Sequence, residues 1–514
     1  MRKIAALLAV AILCAGCRHA AQPAKGTVVF LIENSPTNLD PRIGIDEKSQ
    51  HIDELIFDGL VTRDDHFQFG PGLAERWESP DPLTWIFHLR GDVHFHDGRP
   101  LTARDVAWTL NSMRDGTVIS PRAASYAAIA RIETPDPATV ILHLNQPDNF
   151  LLENLRTGAM GIVPGGSGRD FGQHPIGTGP FRFVTQEIDK EVVLARSPNG
   201  WEGDPGPNAV QRVRFAVVPD ATTRALELRK GSADIASNSL PADALPVLAQ
   251  EKHLRVDSVG GTNIQYLAFN TVDPILRDPR VRQAIACAMD RELILKTLLS
   301  GRARLSVSLL PEQHWAWTGD VDRYNYDPAR ARELLESAGY KPDANGVRLH
   351  LTMKTSTDEG TRLIAATLQQ ELAQAGIALD LVSYEPATFI QFLTRGSFQM
   401  YSLKWVGGNE QADIFGYAFS STRIPPKGAN RGRYRNPELD ALLNDASRSS
   451  DQAARRSDYI RAQQILARDL PAFNLWYVDS ILVYNRRLTE VTVNPSGRYS
   501  FLKTARVDTS DSIP

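Results

Sequence analysis

Apolar and polar positions along this chain follow two periods, and caps or turns mark where each begins and ends. Val281, Ile285, Met289 and Leu293 recur at helical spacing behind Asp278-Pro279 and ahead of Gly301, predicting one helix. Ala331, Leu334, Leu335 and Ala338 follow Asp327-Pro328 and stop at Gly339, predicting a second. Leu439, Leu442, Leu443 and Ala446 behind Asn436-Pro437 predict a third. In each, Asp or Asn can accept from first-turn N–H groups, and proline sits where an N–H would lack a helical partner. Thr102 and Asp105 have capping-box spacing ahead of Val106 and Leu110.

The second period is two. Val347, Leu349, Leu351 and Met353 alternate with polar residues, and the alternation resumes at Ile377, Leu379 and Leu381. Between them Leu363, Ile364, Leu368 and Leu372 are helical in spacing and end at Gly376, which makes a β-α-β unit with parallel strands. Val213, Phe215 and Val217 lead through a helix from Asp220 to Gly231 into Ala233-Asp234-Ile235, a second such unit. Thr84 to Leu89 and Thr139 to Leu144 read as shorter strands around a helix at 103–113. The fold class is α/β with some antiparallel sheet.

Length and charge narrow the field. The 514 residues suggest three domains, at roughly 100–200 residues each. With 42% hydrophobic and 23% charged residues, the chain is not disordered, collagen-like or a coiled coil. A net charge of −3 offers no broad basic field for nucleic acid, and three Cys exclude a disulfide scaffold.

The N-terminus has an address. Arg2 and Lys3 precede an uncharged apolar run, Ile4 to Ala15. Its length of about 12 residues is short of the about 20 that span a bilayer, so it reads as a signal-peptide core. Leu13-Cys14-Ala15-Gly16-Cys17 resembles a bacterial lipoprotein signal, with residues 1–16 removed and Cys17 lipid-modified at the head of a tether, 17–26. An ordinary signal cleaved nearby, leaving a free thiol, is the alternative. Cys287, among Ala284, Ile285, Ala286 and Ala288, is expected as a buried small hydrophobe. No later apolar run approaches spanning length.

Catalytic signatures are missing. The chain has no HExxH, GxSxG, GxxxxGK[ST] or CxxC, so no catalytic residue, cofactor or enzymatic activity is expected. His94-Phe95-His96-Asp97 could bring two imidazoles to one ion, since alternate strand residues share a face. Without a third ligand the plainer reading is an Asp97-Gly98 turn, and no metal is expected. Trp405-Val406-Gly407-Gly408-Asn409, followed by Asp413, Phe415, Tyr417 and Phe419, suits a small-molecule contact. Trp contributes apolar area at little entropy cost, and glycine lets backbone groups approach. A core Trp before a tight turn is the competing reading.

Several blocks carry a family resemblance. Thr37-Asn38-Leu39-Asp40-Pro41, Phe57-Asp58-Gly59-Leu60-Val61 and the stretch from Pro71 to Leu110 come first. PIGTGPFRF from Pro175, GSADI from Gly231, YLAFNT from Tyr266 and RVRQAIACAMDRELI from Arg280 follow in order. YNYDPARARELLESAGY from Tyr324, RNPELDALL from Arg435 and DLPAFNLWY from Asp469 complete the set. On these the chain resembles the extracytoplasmic solute-binding proteins of ABC importers, in the dipeptide- and oligopeptide-binding group (family 5) that also includes nickel binders.

The resemblance implies a two-lobed, periplasmic-binding-protein-like α/β fold with a hinge and an additional inserted α/β domain. Lobe I would comprise 27–61, 175–265 and 486–514, the additional domain 62–174, and lobe II 266–485, with connecting strands near 266–270 and 481–485. A monomer would close on its solute and present the loaded form to ABC permease subunits at the membrane. Peptides would be held mainly through their backbones, as in strand addition. By position, Ser35, Pro36 and Thr37 line the site from lobe I, and Trp405, Val406, Gly407, Gly408 and Asn409 from lobe II. Relatives often have an Asp three residues after this Trp, pairing with the peptide's ammonium; here it is Gly408, and Gln411-Ala412 replaces an Asp-Pro pair. A buried ammonium needs an anion. Either Asp413 or Glu410 serves, or the ligand is another solute: a sugar, an opine-like compound or a metal chelate. An exported sensor or scaffold using the same cleft is a further alternative.

Overall fold

The computed structural model describes residues 26–64, 68–198, 200–406, 410–449 and 451–508. Residues 1–16, read above as a signal sequence, and Cys17, Gly407, Gly408 and Asn409 lie outside the described residues.

The first sheet is built around Thr27–Ile32, buried along its whole length. Val28, Phe30 and Ile32 pack into one core and Val29 and Leu31 into another, so both faces are covered, as a continuous apolar run in a parallel sheet requires. It pairs in parallel with Arg212–Val217 on one side and Ile235–Ser237 on the other. The helix Ala221–Lys230 connects those two, capped by Asp220 and ended by Gly231 at φ 78°. The sheet's seven strands run in the order Leu254–Val259, Ser480–Asn485, Ile235–Ser237, Thr27–Ile32, Arg212–Val217, Glu191–Arg196, Phe181–Glu187.

The second sheet has six strands, in the order Ala303–Leu305, Ala472–Val478, Ile264–Phe269, Met400–Trp405, Leu349–Ser356, Ile377–Tyr384. The last two are parallel and joined by the helix Glu359–Gln374, the β-α-β unit read from the sequence. Asp327 and Asn436 cap the helices Pro328–Ser337 and Pro437–Arg448 as expected. The pattern from Val281 to Leu293 is not one helix. It breaks into Pro279–Cys287 and Arg291–Thr297 because Asp290 caps a second start, accepting from the Leu293 N–H at 2.9 Å, and Leu293 is 49% exposed. Cys287 is buried.

A third sheet of four antiparallel strands, Ala74–Asp81, Thr84–Leu89, Thr139–Leu144 and Ile129–Asp136, intervenes in the chain between strands of the first. The helix Ala103–Arg114 packs Val106 and Leu110 into the same core as Phe87, Val140 and Leu142. Its capping box is present: Thr102 N–H and Oγ1 both donate to Asp105 Oδ2, at 2.8 and 2.7 Å.

The chain crosses from the first sheet to the second between Val259 and Ile264, and returns between Val478 and Ser480. Ser480–Asn485 pairs with Ile235–Ser237 and Leu254–Val259, so the return comes ahead of the expected boundary at Asn485. The two crossings touch. Val478 N–H donates to Asn263 O at 2.9 Å, and a Cβ on Gly261 would lie 2.1 Å from Val478 O. Only glycine permits that approach.

Candidate functional site

Trp405 ends its strand opposite Ile264, the first strand residue past the outgoing crossing. Period-two geometry puts Tyr401, Leu403 and Trp405 on one face, in one cluster with Tyr266 of the adjacent strand. The Trp405 and Tyr266 rings stack with centroids 5.8 Å apart at 17°, and Tyr417 meets Trp405 edge-on at 6.3 Å. Trp405 remains half-buried, a wall of a cavity rather than a filled core position. That cavity encloses about 370 Å³ to its mouth and is also lined by Phe419, Asn430 and Arg431. A larger one, about 520 Å³, adjoins it in the same lobe and shares Leu309, Phe419 and Ala472 with it. There Arg291 is spent on the carbonyls of Asn474 (2.9 Å) and Ser306 (3.1 Å), and Gln463 on that of Ala316 (2.8 Å). The Trp405 cavity presents Arg431, which no carboxylate meets among the described residues.

Val406 is 37% exposed, whereas Glu410 is buried. This carboxylate accepts from Thr262 Oγ1 at 2.9 Å and from Ser496 Oγ, pairs with Arg63 Nη2, and has Arg498 Nη2 at 3.8 Å. Arg63 also meets Glu153 at 2.9 Å, and Arg498 meets Glu54 at 3.4 Å. Burial opposes ionisation of Glu410, but Arg498 and Arg63 outweigh it and hold the acid below the usual carboxylate range. Glu410 therefore ties the second sheet's lobe to both other units and is already neutralised.

Asp413 occupies the N-cap position of the helix Ile414–Phe419 without a side-chain cap bond. Burial, then the charges of Glu153 and Asp148, push its carboxyl up to about 7. Ser35, Pro36 and Thr37 are held within the first lobe: Ser35 Oγ accepts from Asp189 N–H at 2.7 Å, and Thr37 Oγ1 donates to Asp46. Pro36 is buried and Thr37 exposed. Just beyond, Glu47 feels the charge of Lys404, the neighbour of Trp405, so these two segments face each other across the lobes.

His94 and His96 do not converge. His96 Nδ1 accepts from Gly177 N–H at 3.2 Å and Nε2 bonds Gly179 O at 2.9 Å, while exposed His94 faces its own Asp92 carbonyl at 3.3 Å. Gly98, at φ 88°, makes the expected turn. Among the described residues no group of three or more His, Cys, Asp or Glu could hold a metal ion, and no helix is long and apolar enough to cross a membrane.

Sequence reasoning missed Arg63, Arg498 and Arg431. The partners of the first two lie far away in the chain (Arg63 and Glu410 are 347 residues apart), and no spacing rule connects them.

Two α/β lobes, joined by paired crossings with an aromatic cavity beside them, define a two-lobed solute-binding protein. Residues 68–425 match the bacterial extracellular solute-binding proteins, family 5, and the chain belongs to that family. It is 30% identical to the probable di/tripeptide-binding protein 5 of Pseudomonas aeruginosa, over 94% of this chain and 97% of that one. Among solved structures it is similar to DppA from Helicobacter pylori in complex with the peptide STSA, with a TM-score of 0.81, 26% identity and coverage of 94% and 98%. NikZ from Campylobacter jejuni in complex with Ni(L-His) shares the fold, with a TM-score of 0.84, 24% identity and coverage of 94% and 99%.

Proposed function

We propose that this chain is the extracytoplasmic solute-binding component of an ABC importer and that it captures short peptides between its lobes. The observation that carries the reading is the near full-length likeness to a di/tripeptide-binding relative. The lobes close about the crossings at 260–263 and 478–480, and the loaded form is delivered to membrane permease subunits. Lobe I, the inserted domain and lobe II follow the three sheets. Export removes residues 1–16, and lipid on Cys17 anchors the protein; Cys17→Ser then releases it from the membrane fraction, and retention there would overturn the anchor.

A thermal-shift screen tests the ligand class, because a ligand that binds only the folded form raises the melting temperature. Di- and tripeptides are expected to raise it, and sugars and Ni-histidine to leave it unchanged. The reverse pattern would favour a non-peptide solute. One observation supports that second reading: Gly408 carries no acid and Glu410 is already paired with arginines, so a ligand ammonium finds no free carboxylate at either position.

A further inference from the structure

Arg431 is a guanidinium without a counter-charge. It lines the Trp405 cavity, its Cζ lying 6.0 Å from the Trp405 ring centroid, and among the described residues no carboxylate pairs with it. None of the residues lining that cavity is acidic. Beside it the Tyr266 hydroxyl, on a residue only 3% exposed, has Tyr401 and Arg431 as polar neighbours but no partner in good hydrogen-bond geometry. Burial and the neighbouring Tyr401 hydroxyl raise the Tyr266 phenol well above its ordinary range, so it stays a protonated donor. The buried Tyr266 hydroxyl is costly to leave unpaired, and the half-buried guanidinium beside it meets the Tyr401 hydroxyl rather than a carboxylate.

The loop is built to hold Arg431 in place. Asn430 Nδ2 donates to the carbonyls of Ser420 (3.0 Å) and Tyr434 (2.8 Å), and its Oδ1 accepts from Tyr434 N–H at 2.9 Å. Gly432 O accepts from both Thr271 N–H and Thr271 Oγ1, each at 2.9 Å. A Cβ on Gly432 would lie 2.5 Å from Phe269 O, so the loop's seat against that strand requires glycine. A preorganised guanidinium loses little freedom when it takes an anion.

We propose that Arg431, with the Tyr266 and Tyr401 hydroxyls, forms an anion subsite that receives a carboxylate of the transported solute. A planar guanidinium flanked by phenol donors matches a planar monoanion, and the apolar walls at Leu309, Ala418 and Phe419 take the group next to it. A phosphate dianion would bring a second charge that nothing in this cavity meets. Under the peptide reading of the previous subsection, on which this assignment builds, the carboxylate is the C-terminal one.

Calorimetric titrations of wild type, Arg431→Gln, Arg431→Lys and Tyr266→Phe test it. The probes are alanyl-phenylalanine, its C-terminal amide, 3-phenylpropionate and 3-phenylpropionamide. Wild type is expected to favour each acid over its amide by about tenfold or more, the scale of a charge-assisted hydrogen bond. Arg431→Gln should erase that preference without weakening amide binding. Arg431→Lys should restore part of it, and Tyr266→Phe, which keeps the ring, should reduce it. Equal affinities for acid and amide in wild type, a preference that survives in Arg431→Gln, or no binding of either acid overturns the subsite. Arg431-dependent binding of phenylpropionate without dipeptide binding overturns the peptide reading and leaves the subsite standing.

Discussion

Glu410→Gln tests the network that binds the lobes together. The change keeps the side chain's shape and a carbonyl acceptor for Thr262 and Ser496, but removes the charge that faces Arg63 and Arg498. Stripping one partner from a buried pair costs about 3–5 kcal/mol when the other charge is stranded. Here both arginines keep a second carboxylate, Glu153 at 2.9 Å and Glu54 at 3.4 Å. The expected loss is therefore smaller, about 2–3 kcal/mol. The sign of the pH dependence follows from the direction of the shift. Burial raises the Glu410 titration, Arg498 and Arg63 lower it by more, and it ends below the free value of 4.5. Its contribution is thus complete above that value and is lost as pH falls through the depressed one. Urea unfolding, followed by tryptophan fluorescence and by circular dichroism because several units need not unfold together, measures the gap. The gap between wild type and variant should be constant from neutral pH down to about 5 and narrow below that. A gap under about 0.5 kcal/mol at neutral pH, or one that widens on acidification, refutes the reasoning.

Trp405→Ala should weaken ligand binding by about 1–3 kcal/mol in a calorimetric titration, and an unchanged titration would make Trp405 a purely structural residue. Gly261→Ala would place a methyl 2.1 Å from Val478 O and 3.0 Å from Ser480 N, both backbone atoms. The crossings must then separate, at a cost of about 1–3 kcal/mol in denaturant unfolding; a neutral variant would show that the contact yields freely. Asp413 titrates near 7, raised by burial and then by Glu153 and Asp148, so its charged form burdens the fold above that pH. Asp413→Asn should melt higher than wild type at pH about 8, with the advantage fading as pH falls toward the free value, and a constant difference would contradict the shift.

Local chemistry was legible in the chain. Asp278, Asp327, Asn436 and Asp220 cap helices where their spacing says they should, because a cap depends on neighbours within one turn. The parallel pair Leu349–Ser356 and Ile377–Tyr384 was legible for the same reason: alternation and helical spacing are local records of burial. The break at Asp290 was not, since Val281 to Leu293 keeps its period across two separately capped helices. Trp405 stood out through its glycine-rich neighbours. Glu410 was legible as an acid but not as a spent one, because Arg63 and Ser496 reach it only after three sheets have assembled. Arg431 carried no signal; a guanidinium with no carboxylate beside it is defined by what does not come near it.

The cavity under Trp405 belongs wholly to the second lobe, while the ties made by Glu410 run to its neighbours. Trp405 also sits opposite the first strand residue beyond the crossing, close to the axis about which the proposed closure turns. Points near an axis sweep short arcs, so this recess keeps its shape whether the jaws are apart or together. Under the proposed closure a solute would meet this recess first, and the ties across the gap would then act as a clasp. Capture and residence time would then answer to different residues, each open to change without disturbing the other.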